Sequence, residues 1–323
     1  MKRLFLVGSL LAVSVLALVT NGTTQAQSTT QTTTNQTQSS GSIIWDGLWS
    51  GHNFDFSNLG FPASPRQSPT TSPSPDATRT YAALGDSVAA GLGLPGMSTP
   101  TGTDTRCGRS TQSYAYAVAS STNMPLLHVA CSGAKVGDLF TKQAVEGPNI
   151  TAQLDSAYAS GTPELITITA GANDAHWDEF IRGCYAANCS NRATTLLANG
   201  YLVSLRTKLH VALTAIAERS NNKPPQVILT GYYNPLSATC TQYQSNITAS
   251  EIAWLTSETD ALNKTIQNVV KKYPFASFAP VDFTGHDICS GDSWVQGLTD
   301  PAPFHPTAQG QQAIAQSVLR AVN

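Results

Sequence analysis

Short apolar runs alternate along most of the chain with longer segments in which apolar residues recur at helical spacing. The short runs are flanked by Gly, Pro, Asn or Asp and predict β-strands at Thr80–Leu84, Leu126–Ala130, Leu165–Ala170, Gln226–Gly231 and Ser277–Val281. The longer segments predict α-helices at Tyr114–Ser121, Ala193–Ala217, Ala249–Lys272 and Thr307–Val322. Strands that alternate with helices favour an α/β fold with a parallel sheet flanked by helices.

The first 77 residues lack this alternation. Met1-Lys2-Arg3 and the apolar run Leu4 to Val19 have the charged start and hydrophobic middle of a secretory signal, and Thr24-Gln25-Ala26 offers a small-residue cleavage site. At 16 residues the run is short for a membrane-spanning helix. We therefore interpret residues 1–26 as a signal peptide, residues 27–77 as a Ser/Thr/Pro-rich linker and residues 78–323 as the functional domain.

Within the linker, residues 43–61 carry a cluster of large apolar side chains, among them Trp45, Trp49 and Phe54. The Ser/Thr/Gln tract before them and the Pro/Ser-rich stretch after them cannot bury a core and predict spacers. We expect the aromatic segment to dock on the main domain, with a surface- or substrate-binding arm as the alternative.

Charge and cysteine content narrow the functional class. The chain balances 18 Lys and Arg against 20 Asp and Glu and has no basic stripe, so we expect no nucleic-acid partner. Six cysteines in an exported chain indicate disulfide bonds, whose pairing the sequence leaves open. No Cys/His cluster has convincing zinc spacing, so we expect no metal and no cofactor. We also expect no transmembrane segment after signal cleavage.

The stretch Gly85-Asp86-Ser87 follows the first predicted strand and places a serine at its carboxyl end. Open α/β sheets bind ligands at that edge, although these residue types also favour plain turns, and we expect Asp86 to order the loop. Acyl transfer by serine needs a base and donors for the developing oxyanion. Gly133 and Asn173 follow the next two strands and could be donors, and His305 precedes the last helix and could be the base. Asn173 could equally cap the following helix.

In these blocks the chain resembles the GDSL, or SGNH, hydrolases, a family named for Ser, Gly, Asn and His in separate blocks. It is closest to the secreted actinobacterial-type lipases, esterases and phospholipases, over about residues 79 to 321. The matching residues are Ser87 in Gly85-Asp86-Ser87, Gly133 in Ala130-Cys131-Ser132-Gly133-Ala134, Asn173 in Gly171-Ala172-Asn173-Asp174, His305 in Phe304-His305-Pro306, and Gly285-His286-Asp287-Ile288-Cys289 with Trp294.

The resemblance implies a three-layer α/β/α fold of the flavodoxin-like type and a role for each block. Ser87 is then the nucleophile and His305 the general base, and the oxyanion hole consists of the N–H groups of Ser87 and Gly133 with the Asn173 side chain. The resemblance also implies the disulfides Cys107–Cys131, Cys184–Cys189 and Cys240–Cys289.

The chain departs from the family pattern at the group that would orient His305. Many members carry an acid three residues before the histidine, where this chain has Ala302. Asp300 is the nearest acid and one candidate orienter. A backbone carbonyl from Pro301–Pro303 is the other, and it would leave a Ser–His dyad. We favour the dyad.

We therefore expect a secreted, monomeric serine ester hydrolase, a lipase or esterase whose substrates could include phospholipids. A carbohydrate-ester esterase that removes acetyl or aromatic acyl groups would use the same residues and is the alternative. A more distant alternative is a surface-binding protein that has the same fold and no catalytic activity. The partner is accordingly a small-molecule, lipid or polysaccharide ester.

Overall fold

A computed structural model describes residues 79–96, 102–145, 148–240 and 246–322. The predicted signal peptide, the linker with its aromatic segment at residues 43–61 and the predicted domain boundary all lie outside the described residues.

Five parallel strands form the centre of the described structure, in the order β2-β1-β3-β4-β5. Their bounds are β1 Tyr81–Gly85, β2 Leu126–His128, β3 Leu165–Thr169, β4 Gln226–Thr230 and β5 Ala276–Ala279. This is the strand order of flavodoxin-like sheets, and the predicted fold class is confirmed. β1 and β3 are buried along their whole length because they lie inside the sheet with helices over both faces.

Helices cover the sheet on both sides. In the part of the chain that the structure describes they are α1 Ser87–Ala90, α2 Gly102–Cys107, α3 Tyr114–Thr122, α4 Gln153–Ala157, α5 Trp177–Ala186, α6 Arg192–Arg219, α7 Ala249–Val270 and α8 Ala308–Ala321, with a 3₁₀ turn at Val136–Leu139. Helix α3 packs against α8, and α6 packs against α7. Parallel strands are joined by right-handed crossovers, and the chain moves from β1 to β2 in one direction along the sheet and from β3 to β5 in the other, so the two pairs belong on opposite faces.

Helices α3, α6, α7 and α8 were predicted, whereas α1, α2, α4 and the ten-residue α5 were not. The starts of α6 and α7 are marked by capping residues. Asn191 Oδ1 accepts hydrogen bonds from Ala193 N and Thr194 N at 3.0 and 3.2 Å, and Glu251 Oε2 accepts one from Thr248 N at 2.9 Å. No described helix is both long and apolar enough to cross a bilayer.

All six cysteines of the chain are paired. The bonds join Cys107 to Cys131, Cys184 to Cys189 and Cys240 to Cys289, which are the pairs that the family resemblance implies. The first of them ties the end of α2 to the loop after β2, next to the nucleophile turn described below.

Candidate active site

Ser87 is the first residue of α1 and is separated from the end of β1 by the single residue Asp86. Asp86 caps this short helix, because its Oδ1 accepts a hydrogen bond from Val88 N at 2.9 Å. Gly85 has a φ of +132°, and a Cβ at this position would lie 2.1 Å from Thr169 O on β3. Only glycine allows the two strands to approach this closely at the turn. The chain therefore turns sharply and presents Ser87 at the carboxyl edge of the sheet.

His305 meets Ser87 across that edge. His305 Nε2 lies 2.8 Å from Ser87 Oγ, and His305 Nδ1 lies 3.1 Å from Pro303 O. A carbonyl oxygen can only accept, so Nδ1 carries the proton and Nε2 accepts from the Ser87 hydroxyl. The ring is buried, and burial lowers the pKa of His305, outweighing hydrogen bonds with the Pro303 and Ala302 backbone that raise it. The imidazole is therefore neutral and ready to accept a proton at pH 7.

Asp300 is not where an orienting acid would be. Its Oδ2 accepts a hydrogen bond from Gly297 N at 2.6 Å and closes a local turn. Pro301 and Pro303 then carry the chain to His305 and bring the Pro303 carbonyl to Nδ1. Of the two candidate orienters, the Pro303 carbonyl is thus the one in contact with Nδ1, and the Asp300 carboxylate bonds the amide of Gly297 instead.

The loops after β2 and β3 lie beside the nucleophile turn. Cys131 N donates to Gly85 O at 2.9 Å, which brings the following Gly133, with a φ of +76°, to this edge. Within the described residues the Gly133 N–H has no acceptor. Asn173 Nδ2 donates to Ala134 O at 2.9 Å and has a second N–H to offer. Helix α5 has His176 as its N-cap, so Asn173 does not cap it.

A cleft opens beside Ser87, Asn173 and His305. Its remaining walls are largely apolar and aromatic. They include Ala172, Trp177, Tyr232, Tyr233, Leu262 and Phe304. Such a cleft suits an apolar group attached to a polar, reacting centre.

Asp86 and Tyr232 form a buried pair behind the nucleophile. Tyr232 Oη donates to Asp86 Oδ2 at 2.5 Å. Burial raises the pKa of Asp86 to about 7, outweighing hydrogen bonds from Tyr232 and from backbone amides that lower it. Burial also raises the pKa of Tyr232 well above its usual value. The carboxyl group bonds Val88 N and Tyr232 on the inside of the turn, which fits the expectation that Asp86 orders the loop.

A set of buried glutamines, each at most 5% exposed, holds the backbone of these loops and was not predicted from the sequence. Their side-chain amides donate from Gln153 to Gly85 O at 2.9 Å, from Gln311 to Val88 O at 2.9 Å, from Gln296 to Leu92 O at 2.9 Å and from Gln143 to Ser132 O at 2.8 Å. The available signal was a glutamine on an otherwise apolar face, as in Trp294-Val295-Gln296, because a buried amide must find partners.

Comparison with known proteins gives concordant matches. The GDSL-like lipase/acylhydrolase family model matches residues 83–313. A lipase of Streptomyces rimosus is 30% identical over 241 residues, covering 72% of this chain and 82% of the relative. Lipase 1 of Streptomyces coelicolor is 31% identical over 249 residues, covering 73% and 84%.

Two solved structures share the fold at similar identity. The extracellular lipase of Streptomyces rimosus superimposes with a TM-score of 0.62 at 28% identity, covering 76% of this chain and 100% of that one. The phospholipase A1 of Streptomyces albidoflavus NA297 gives 0.60 at 27% identity, covering 75% and 98%.

Proposed function

The chain belongs to the GDSL-like lipase/acylhydrolase family and is a carboxylic ester hydrolase, and we propose that it is a secreted lipase or esterase that forms an acyl-enzyme on Ser87 with His305 as its base. One observation carries the proposal: Ser87 Oγ lies 2.8 Å from His305 Nε2, while His305 Nδ1 is held 3.1 Å from Pro303 O. A nucleophile within reach of a base that a third group orients is the arrangement that activates serine.

In the first half of the reaction, Ser87 Oγ attacks the ester carbonyl carbon and His305 Nε2 takes the hydroxyl proton. The Nδ1–H remains bonded to Pro303 O and keeps the ring in place as it becomes charged. The imidazolium then gives its proton to the alcohol oxygen as the ester C–O bond breaks. In the second half, His305 deprotonates a water molecule that attacks the acyl-enzyme, and Ser87 leaves with the proton.

Three donors stabilise the oxyanion that forms in each half. The Ser87 N–H is the first amide of α1 and has no acceptor within that helix. The Gly133 N–H and the second N–H of Asn173 Nδ2 complete the set. The disulfide between Cys107 and Cys131 supports this arrangement, because it anchors the loop that carries Gly133.

The apolar cleft supports a lipid ester as substrate. Its aromatic and aliphatic walls would hold an acyl chain beside Ser87. The relatives are lipases, and one neighbour is a phospholipase A1, so phospholipids fall within the proposed range. Secretion is supported by the charged and apolar start of the chain, by three disulfides and by the extracellular lipase among the relatives.

The test is hydrolysis of p-nitrophenyl esters from acetate to palmitate by the wild type and by Ser87→Ala, His305→Ala and Ser257→Ala. Ser257 is an exposed serine on α7 and serves as the matched control. We expect both dyad variants to lose at least ~10³-fold in kcat and the control to keep it. A fluorophosphonate should label the wild type at Ser87. Activity that survives Ser87→Ala would show that another group is the nucleophile.

The same assay series separates the alternatives. Hydrolysis of long-chain and phospholipid esters supports the lipase proposal. Acetate release from acetylated xylan without activity on lipids would instead identify a carbohydrate-ester esterase. An unlabelled Ser87 and no hydrolysis of any ester would contradict the enzyme proposal.

A further inference from the structure

We propose that Gln296 is a positioning residue whose buried amide joins the segment that carries His305 to the turn that carries Ser87, and so sets the contact between the two. The inference rests on the proposed function, because Gln296 has this role only if Ser87 and His305 act together.

The side chain of Gln296 bonds to both segments. Its Nε2 donates to Leu92 O at 2.9 Å and to Pro306 O at 3.0 Å, and its Oε1 accepts from Ala302 N at 3.2 Å. Both N–H groups and the carbonyl of the amide are therefore used, in a side chain that is 4% exposed. Removing the amide would take these partners from the carbonyls of Leu92 and Pro306 and from the N–H of Ala302, of which the Pro306 and Ala302 bonds are fully buried.

The backbone of Gln296 holds the same histidine segment. Gln296 N donates to His305 O at 2.7 Å, and Gln296 O accepts from Phe304 N at 3.0 Å. The neighbouring Val295 and Pro306 form an antiparallel bridge. One residue thus bonds to four of the five residues between 302 and 306, counting side chain and backbone together.

The conformation of Phe304 shows why this segment needs a support. Phe304 has a φ of +66°, in the left-handed region that a bulky side chain rarely adopts. Such a conformation persists only where the surroundings hold it. Its N–H is taken by Gln296 O, and its carbonyl accepts from Tyr233 Oη at 2.7 Å. The strained residue immediately before His305 is therefore fixed at both ends.

At its other end the amide reaches the nucleophile turn through Leu92. Leu92 N donates to Ser87 O at 3.0 Å, and Leu92 O accepts from Gln296. Gly93 has a φ of +83°, and a Cβ there would lie 2.5 Å from Gln296 Oε1 and 2.6 Å from Ala302 Cβ. The close approach of the two segments therefore requires glycine at position 93.

This arrangement predicts a defect in catalysis rather than in binding. Gln296 does not line the cleft beside Ser87, so its loss should leave contacts with the substrate in place. A shift of about 1 Å between a nucleophile and its base lowers the rate by roughly 10²-fold. Gln296→Met keeps the length of the side chain and removes its polar atoms. We expect kcat to fall by about 10- to 100-fold while KM changes by less than about 3-fold.

A pH profile distinguishes positioning from general destabilisation. Burial lowers the pKa of His305, so a ring that is held less firmly and is more hydrated has a pKa nearer to its usual value. The acid limb of kcat/KM should therefore move to higher pH in Gln296→Met. A loss of stability alone would reduce the amount of active enzyme and leave the midpoint of the acid limb of kcat/KM unchanged.

The experiment measures kcat, KM and the pH profile on p-nitrophenyl butyrate, well below the unfolding temperature of each variant. Gln226→Met is the matched control, because Gln226 Nε2 also bonds a backbone carbonyl, Ala321 O at 2.8 Å, where β4 begins at the opposite edge of the sheet. If Gln296→Met does not fold, Gln296→Glu replaces it. That variant keeps an acceptor for Ala302 N and loses the donors to Leu92 and Pro306.

The expected result is a lower kcat with a shifted acid limb in the Gln296 variant and wild-type values in Gln226→Met. A folded Gln296 variant with wild-type kcat and an unshifted limb overturns the inference. An equal loss of kcat in Gln226→Met also overturns the inference. The Ser87→Ala variant, assayed alongside, separates the two levels: if it retains activity the proposed function fails, and if it is inactive while Gln296→Met is normal only the inference about Gln296 fails.

Discussion

Replacement of Asn173 by alanine tests the oxyanion hole directly. One N–H of Asn173 Nδ2 is committed to Ala134 O at 2.9 Å, so the other is the group that the proposed mechanism uses. Loss of one oxyanion donor costs about 2.7–4 kcal/mol of transition-state stabilisation, or roughly 10²–10³ in kcat. Loss of the hydrogen bond to Ala134 adds a stability cost of about 1 kcal/mol, which is small beside the stability of a domain.

The assay is steady-state hydrolysis of p-nitrophenyl butyrate with thermal unfolding of each variant. Asn191→Ala is the matched control, because Asn191 caps α6 through Ala193 N and Thr194 N, and its loss costs about 0.5–2 kcal/mol. We expect a fall in kcat of roughly 100-fold or more for Asn173→Ala at similar KM, and wild-type kcat for Asn191→Ala. A fall of less than about 5-fold in Asn173→Ala would refute the assignment, since loss of an oxyanion-hole donor typically costs roughly 10²–10³ in kcat.

The buried groups His305 and Asp86 should make activity and stability depend on pH. Because burial lowers the pKa of His305, the acid limb of kcat/KM in the wild type should have its midpoint below about 6.5, the usual value for histidine; a midpoint above this value contradicts the buried, neutral ring. Burial raises the pKa of Asp86 to about 7, against roughly 3.9 in the unfolded chain. The protonated carboxyl group therefore stabilises the fold fully below about pH 4, and this stabilisation is lost as the pH rises through 7. The free energy of unfolding falls by up to about 4 kcal/mol over this range. Denaturant unfolding at pH 5 and pH 8 should show a smaller pH difference in Asp86→Asn than in the wild type, and equal differences would mean that Asp86 is not buried as a titrating group.

The strands and the helices α3, α6, α7 and α8 could be predicted to within about two residues because their signals are local. β3 is an apolar run between polar residues and Gly, and α7 begins at a capping box. The helix α1 could not be predicted in this way. It has four residues, too few to show a period, and it exists because Asp86 caps it and β1 delivers it to the sheet edge.

The residues that could carry chemistry are recognisable from the amino-acid sequence. Ser87, Asn173 and His305 each follow a strand or precede a helix in a recognisable block, and parallel strands gather their carboxyl ends at one edge. How those residues are held depends on contacts that form only in the folded chain. It gave His305 the carbonyl of Pro303 in place of Asp300, and it gave Leu92 a partner, Gln296, 204 residues away.

The two kinds of information differ in the sequence distance over which they act and in the precision of geometry that they require. Periodicity, turns and caps depend on residues within a few positions of each other, so they can be predicted directly from the sequence. A hydrogen bond is made or lost within a few tenths of an ångström, and the partner of a buried amide depends on the path of the whole backbone. The sequence therefore determines what is present at the edge of this sheet, and the packing of the fold decides which atoms meet there.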